Sequence, residues 1–384
     1  MECYLDNSAT TRCFDEAIAA VNEEMKNTYG NPSSLHMQGV RAEKLIKETL
    51  SIIASTLKCD EKEIIFTSGG TESDNMALIG VARAYKRSGK QIITSGIEHE
   101  AILETCAFLE EEGYEITYLP TDNTGVVDLK VLEESIREDT ILVSIMGVNN
   151  EIGVIEPIEA ISKIIKAKNP STLFHVDAVQ AYGKIKLIPK NMGIDLMSVS
   201  SHKIHGPKGT GFLYVNKKVK IKPIIFGGGQ QRGLRSGTEN VCGITGMGAA
   251  IKKVFASFDE DTKRMYELRE HLINRLLENE DVFINGAAPQ GSAPHIVSAS
   301  VKNVRAEVLL HALEDKGVYV SSGSACASNR PSVSKTLKSI GVENEYLDST
   351  IRFSMSVMTT KEEIDYAADC FSDIVGNLRK YVRR

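Results

Sequence analysis

The sequence predicts an α/β fold, with a large domain built on a mostly parallel seven-stranded sheet covered by helices and a smaller α+β domain beside it. Three observations carry this. Seven short β-rich runs alternate with helical patterns as far as residue 215, and such alternation implies right-handed crossovers between parallel strands. The 384 residues exceed what one core usually supports. After Gly227-Gly228-Gly229 the pattern changes to a long helical stretch followed by mixed strands and helices.

The elements follow in order. Val40, Leu45, Ile46, Leu50, Ile53 and Leu57 recur at helical spacing over 36–57. Strand 64–67 precedes a helix starting near Thr71, and strand 91–94 precedes a helix over 98–112. Then come strand 116–119, helix 129–136, strand 141–146, helix 157–167 and strands 173–176, 196–199 and 211–215. The later part reads as helix 240–278, strand 296–301, helix 306–315, strand 318–320, helix 333–340, strand 350–354 and a final helix 361–381. The first 35 or so residues are polar and turn-rich and are expected to pack on this later part. The domains are placed at 16–254 (large) and at 1–15 with 255–384 (small).

Composition narrows the function classes. A hydrophobic share of 42%, a charged share of 25% and a net charge of −6 describe an ordinary globular chain and argue against nucleic acid or anionic membrane as the main partner. No basic start leads into an apolar run, and no window approaches a membrane span, so a cytoplasmic location is expected. The seven cysteines (3, 13, 59, 106, 242, 326 and 370) form no Cys-x-x-Cys pair, so neither a disulfide framework nor a metal site is expected.

In parallel sheets ligands bind outside the carboxyl ends of the strands, and unusual groups fall there. Thr67-Ser68-Gly69-Gly70-Thr71-Glu72-Ser73 runs from strand through a glycine turn into a helix, which suits a phosphate or serves as a plain helix cap. Asp177 ends the apolar strand Phe174-His175-Val176, where a carboxylate needs a cationic partner. A protonated pyridine nitrogen, as in pyridoxal phosphate (PLP), is one such partner, and a helix cap is the alternative. Ser200-Ser201-His202-Lys203 places a lysine in a turn among hydroxyls and histidines, as a Schiff-base lysine requires; Lys208, between Pro207 and Gly209, reads as a surface residue. His99 after strand 91–94 can stack on a flat ring or cap a helix. Cys326 stands in the small-residue run 321–329, where nothing apolar buries it and a thiolate can act. Arg352 lies inside the apolar strand 350–354, and a buried guanidinium demands an anion.

Together these residues resemble the NifS-like cysteine desulfurases, members of the class-V aminotransferase family within the fold-type-I, aspartate-aminotransferase-like PLP enzymes. The resemblance runs end to end: Tyr4-Leu5-Asp6-Asn7-Ser8-Ala9-Thr10-Thr11, Thr67-Ser68-Gly69-Gly70-Thr71-Glu72-Ser73, Glu98-His99, Val148-Asn149-Asn150-Glu151, His175-Val176-Asp177-Ala178-Val179-Gln180, Ser200-Ser201-His202-Lys203, Arg235-Ser236-Gly237-Thr238 and Ser322-Gly323-Ser324-Ala325-Cys326. It implies that Lys203 carries the cofactor, Asp177 pairs with the pyridine nitrogen, Gln180 with the phenolic oxygen, and His99 stacks on the ring. Gly70, Thr71, Ser200 and His202 would hold the phosphate, with Thr238 reaching across a homodimer. Arg352 and Asn150 would take the carboxylate of L-cysteine, and Cys326 would accept the sulfur as a persulfide, leaving alanine. An iron–sulfur scaffold or a thiolation enzyme would then receive it. Between Cys326 and Pro331 the chain is shorter than in the housekeeping members, which leaves the acceptor open. The rivals are a transaminase or selenocysteine lyase on the same fold, and a sulfur-relay protein without turnover.

Overall fold

The computed structural model describes residues 1–286, 289–322 and 334–381. Its centre is a seven-stranded sheet in the order Ile64–Thr67, Gly211–Val215, Leu196–Ser200, Leu173–Asp177, Thr140–Met146, Gln91–Ser95 and Glu115–Leu119. Gly211–Val215 runs antiparallel to both of its neighbours, and every other pairing is parallel. The inner strands are buried along their whole length, which is why they read as continuous apolar, β-branched runs rather than alternating ones. Only the edge strand Glu115–Leu119 is largely uncovered, and it carries Glu115 and Tyr118 outward.

A second sheet is four-stranded and antiparallel, in the order Ser321–Ser322, Thr350–Ser354, Ile296–Val301 and Val282–Asn285. Phe258–Leu277, Ala306–Glu314 and Lys361–Leu378 contribute to the apolar cluster packed on it, separate from the cluster of the large sheet. Among the described residues no single helix is long and apolar enough to cross a membrane.

Three expectations need correction. The stretch 240–278 is two helices, Val241–Ala256 and Phe258–Leu277, bent by 75°. Ser257 breaks the helix (φ −130°, ψ 29°) and its hydroxyl donates to Asp261 Oδ2 at 2.6 Å, and Asp259, Glu260 and Asp261 crowd the new N-terminus, where negative charge is favoured. The expected 361–381 helix ends its α-helical part at Leu378 and closes with a 3-10 turn. The N-terminal 35 residues do not all pack on the later part of the chain. Cys3–Tyr4 pairs with Val318–Tyr319 and Asp6 bridges to Ser354, but Asp15–Asn27 is a helix packed on Val241–Ala256. Gly246 permits that approach: a Cβ there would lie 2.6 Å from Val21 Cγ2 and 3.3 Å from the Ala17 carbonyl oxygen. Ile18 and Met25 point outward, which blurs the helical periodicity in the sequence.

Candidate active site

The carboxyl ends of the strands and the N-terminal segment enclose a pocket of about 270 Å³. Ligand pockets run upward from roughly 300 Å³, so this is a slot for a small ring and its substituents. Asp177 ends Leu173–Asp177 at its floor, buried, with Oδ1 accepting from the Val179 N–H at 2.9 Å. Burial pushes its carboxyl pKa up, against the pull of His99 and Lys203. Asp74, one helical turn after Gly70 on the same face, lines the pocket too.

Lys203 follows Leu196–Ser200 on a 3-10 turn, Ser201–Lys203. Its Nζ donates to the Ser8 carbonyl and, at 2.8 Å, to that of Ala9. The Thr11 N–H and hydroxyl both donate to the His202 carbonyl, at 2.9 and 2.8 Å, so residues 8–11 are sewn onto the lysine turn. Beneath it Lys184 donates to the Lys203 carbonyl at 2.7 Å, and burial, with the Lys203 charge second, lowers its pKa to about 7. Lys208 is exposed, as its sequence setting suggests.

Opposite the lysine, the helix Gly70–Tyr85 presents its N-terminus. Gly69 has φ +151°, a conformation other residues rarely adopt, and a Cβ on Gly70 would sit 2.7 Å from Val179 Cγ2. This glycine turn, with Thr71, Ser200 and His202, leaves a cradle of N–H and O–H donors. The His202 imidazole is kept neutral: burial first, then the Lys203 charge, lowers its pKa to about 4.

His99 both caps and lines. Its Nδ1 accepts from the Ala101 N–H at 3.1 Å to start Glu100–Glu111, and the ring forms part of the pocket wall. Gln180 donates through Nε2 to the Ser8 carbonyl at 2.9 Å and accepts from His295 Nε2 at 3.3 Å. Asn150 lines the pocket. Arg352 does not: buried behind it, its guanidinium donates to the Asn150 carbonyl at 2.8 Å and to Asp6 Oδ1 at 2.9 Å. The anion that a buried arginine demands is therefore present within the chain. Thr238 is exposed and does not line the pocket of its own chain. Cys326 lies outside the described residues.

The sequence reading missed Ser8 and Ala9, which contribute backbone carbonyls and so leave no side-chain signal. It missed Asp74, which the four-residue spacing from Gly70 does signal. Lys184 and His295 carried no signal, since each acts from behind a site residue.

Residues 3–367 match the family model Aminotransferase class-V. The chain belongs to the class-V aminotransferase family. It is 46% identical over 379 residues to the cysteine desulfurase IscS of Dictyoglomus turgidum, covering 98% of this chain and 95% of that one. The IscS of Methanosarcina thermophila is 44% identical, at 98% and 92% coverage. Among solved structures, a NifS-like protein superposes with a TM-score of 0.93 at 40% identity, over 98% of this chain and all of that one. A structure of SspA in complex with cysteine superposes at 0.81 with 30% identity, over 93% of this chain and 100% of that one.

Class-V aminotransferases are PLP enzymes, and the pocket suits that group. A cradle of donors would hold a phosphate, a lysine amine stands beside it, and a buried carboxylate at the floor forms no salt bridge among the described residues.

Proposed function

We infer that this chain takes sulfur from L-cysteine: it is a cysteine desulfurase that works with PLP. The observation that carries the reading is the convergence of Lys203, Asp177 and His99 from neighbouring strand ends on one small pocket. Lys203 would hold the cofactor, Gly70, Thr71, Ser200 and His202 its phosphate, and Gln180 its phenolic oxygen. Bound there, PLP supplies an electron sink for the pair left when Cα loses its proton.

The chain's own residues do the rest. Asp177 would supply the negative charge that pairs with the ring nitrogen. Lys203 Nζ takes the Cα proton. His99 has Nδ1 engaged by Ala101, which leaves Nε2 to move protons near the sulfur. Asn150 and Arg352 orient the substrate carboxylate, with Asp6 giving way. Cys326, as thiolate, attacks the substrate sulfur; the S–S bond forms as the Cβ–S bond breaks. Cysteine plus the Cys326 thiol become alanine plus a Cys326 persulfide, so no external oxidant is required. The described residues flanking the cysteine segment pack on residues just behind the pocket, which supports this role. Ser321 pairs with Arg352, and Ser334 Oγ donates to Glu151 Oε2 at 2.6 Å, next to Asn150.

We also take the chain as a homodimer. Tyr29, Leu35 and Met37 are strongly exposed near one another in sequence, and Thr238 would reach the partner's phosphate. The two apolar clusters support the domain division at about residue 255. The six described cysteines are free thiols, which fits the reducing cytoplasm. The acceptor is an iron–sulfur scaffold or a thiolation enzyme.

Alanine release from L-cysteine under reductant tests the reading, wild type beside Cys326→Ala. Release by the wild type and almost none by the variant is expected. Equal release removes Cys326 from the reaction, and none from either refutes the substrate.

A further inference from the structure

The pocket floor holds more acid than the proposed function uses. Asp74 is 1% exposed, and its Oδ1 has no hydrogen-bond partner among the described residues, although it belongs to the lining of the same pocket as Asp177. Behind it runs a buried polar chain across three adjacent strands. Ser144 Oγ lies 2.8 Å from His175 Nδ1, and His175 Nε2 lies 2.9 Å from Ser198 Oγ and 3.7 Å from Asp74 Oδ1. The sheet register sets these neighbours, with Ser144 opposite His175 and Ser198 opposite Asp177.

This chain supplies no positive charge. His175 is fully buried, and burial lowers its pKa to about 3, so its imidazole is neutral. With one N–H to give, the ring donates from Nε2 to Ser198 while Nδ1 accepts from Ser144, and the Ser198 hydroxyl is left to bond Asp74. The other titratable neighbours of Asp74 are Asp177 and Glu98, both acids. His99 and the Lys203 amine favour the charged form of Asp177 instead. Two carboxyl groups in one buried site do not both ionise, and the proton stays on the one that the Lys203 charge does not favour.

We propose that Asp74 is a positioning residue, a neutral carboxylic acid at the pocket floor whose protonation confines the negative charge to Asp177. The consequence for the cofactor rests on the PLP reading; the protonation state does not. Burial, then the Asp177 charge, pushes the Asp74 pKa well up, in the same direction.

The test separates the two. Infrared difference spectra of cofactor-free wild type against Asp74→Asn at neutral pH should show loss of a protonated-carboxyl stretch. Loss of a carboxylate band in its place overturns the proposal, whether or not PLP binds. In the PLP-loaded protein, Asp74→Asn, which mimics the neutral acid, should keep the absorption maximum and hold PLP within about twofold of wild type, whereas Asp74→Ala, which leaves a cavity in the pocket floor beside Asp177, should weaken it about tenfold. If Asp74→Ala does not fold, the asparagine variant still decides. A spectrum and affinity disturbed in Asp74→Asn as strongly as in Asp177→Asn would place the charge on Asp74 and sink the idea.

Discussion

Asp177 and Arg352 are both charged side chains buried in strands, one in the seven-stranded sheet and one in the four-stranded sheet, and their surroundings differ. Arg352 has its counter-ion in Asp6 and a second acceptor in the Asn150 carbonyl. Asp177 accepts a backbone N–H and forms no salt bridge among the described residues. A buried charge therefore points to a ligand only when the chain itself has not already neutralised it. At the floor of the pocket the acid feels the Lys203 charge but forms no ion pair among the described residues; Arg352, behind the pocket, is balanced at rest and must exchange one anion for another to bind a carboxylate.

This contrast can be broken at three places. The largest effect is expected at Asp177→Asn, which should lower kcat/KM for cysteine at least about a hundredfold, as loss of a positioned charge does, while the melting temperature holds or rises because a buried unpaired acid is gone. A large fall in melting temperature would show that Asp177 is structural. Next, Arg352→Lys keeps the charge and loses the planar fork, so KM for cysteine should rise roughly ten- to hundredfold with kcat little changed. An unchanged KM would make the Asp6 pair the whole purpose of this arginine.

The smallest effect concerns a buried acid away from the pocket. Glu156 accepts from the Val127 N–H at 3.1 Å, its Oε1 has no partner, and burial raises its pKa to about 8. Its folded pKa lies above the unfolded value of 4.5, so the folded state binds the extra proton between the two. The stability it contributes is full below about pH 4.5 and is lost as pH rises through 8. Denaturant titrations should find Glu156→Gln gaining a few kcal/mol over wild type at pH 9 relative to pH 4. Parallel pH profiles would show that Glu156 is ionised in the fold, and the distinction from Asp177 would disappear.

The fold was legible because its inner strands are buried on both faces and the intervening helices are amphipathic, which writes a strong pattern into the sequence. Where the signal depends on small residues it faded: helix Asp15–Asn27 rests on Ala17 and Gly246, and Ser257 turns one apparent helix into two. Within the pocket, chemistry-bearing side chains at strand ends were readable one by one. Backbone partners such as Ser8 and Ala9 were not, since any residue type supplies a carbonyl. Arg352 was readable as buried, but its Asp6 partner lies 346 positions away and only the folded chain joins them.

Leu196–Ser200 and Gly211–Val215 are adjacent antiparallel strands, so the lysine turn is the tip of a hairpin whose arms lie inside the large sheet. Local opening in proteins draws on the least protected units, and this one is among the most protected. Amide exchange at the arms of Lys203 should thus approach the rate of global unfolding. Whatever motion sulfur delivery demands has to come from other parts of the molecule, with the cofactor's lysine as its fixed point.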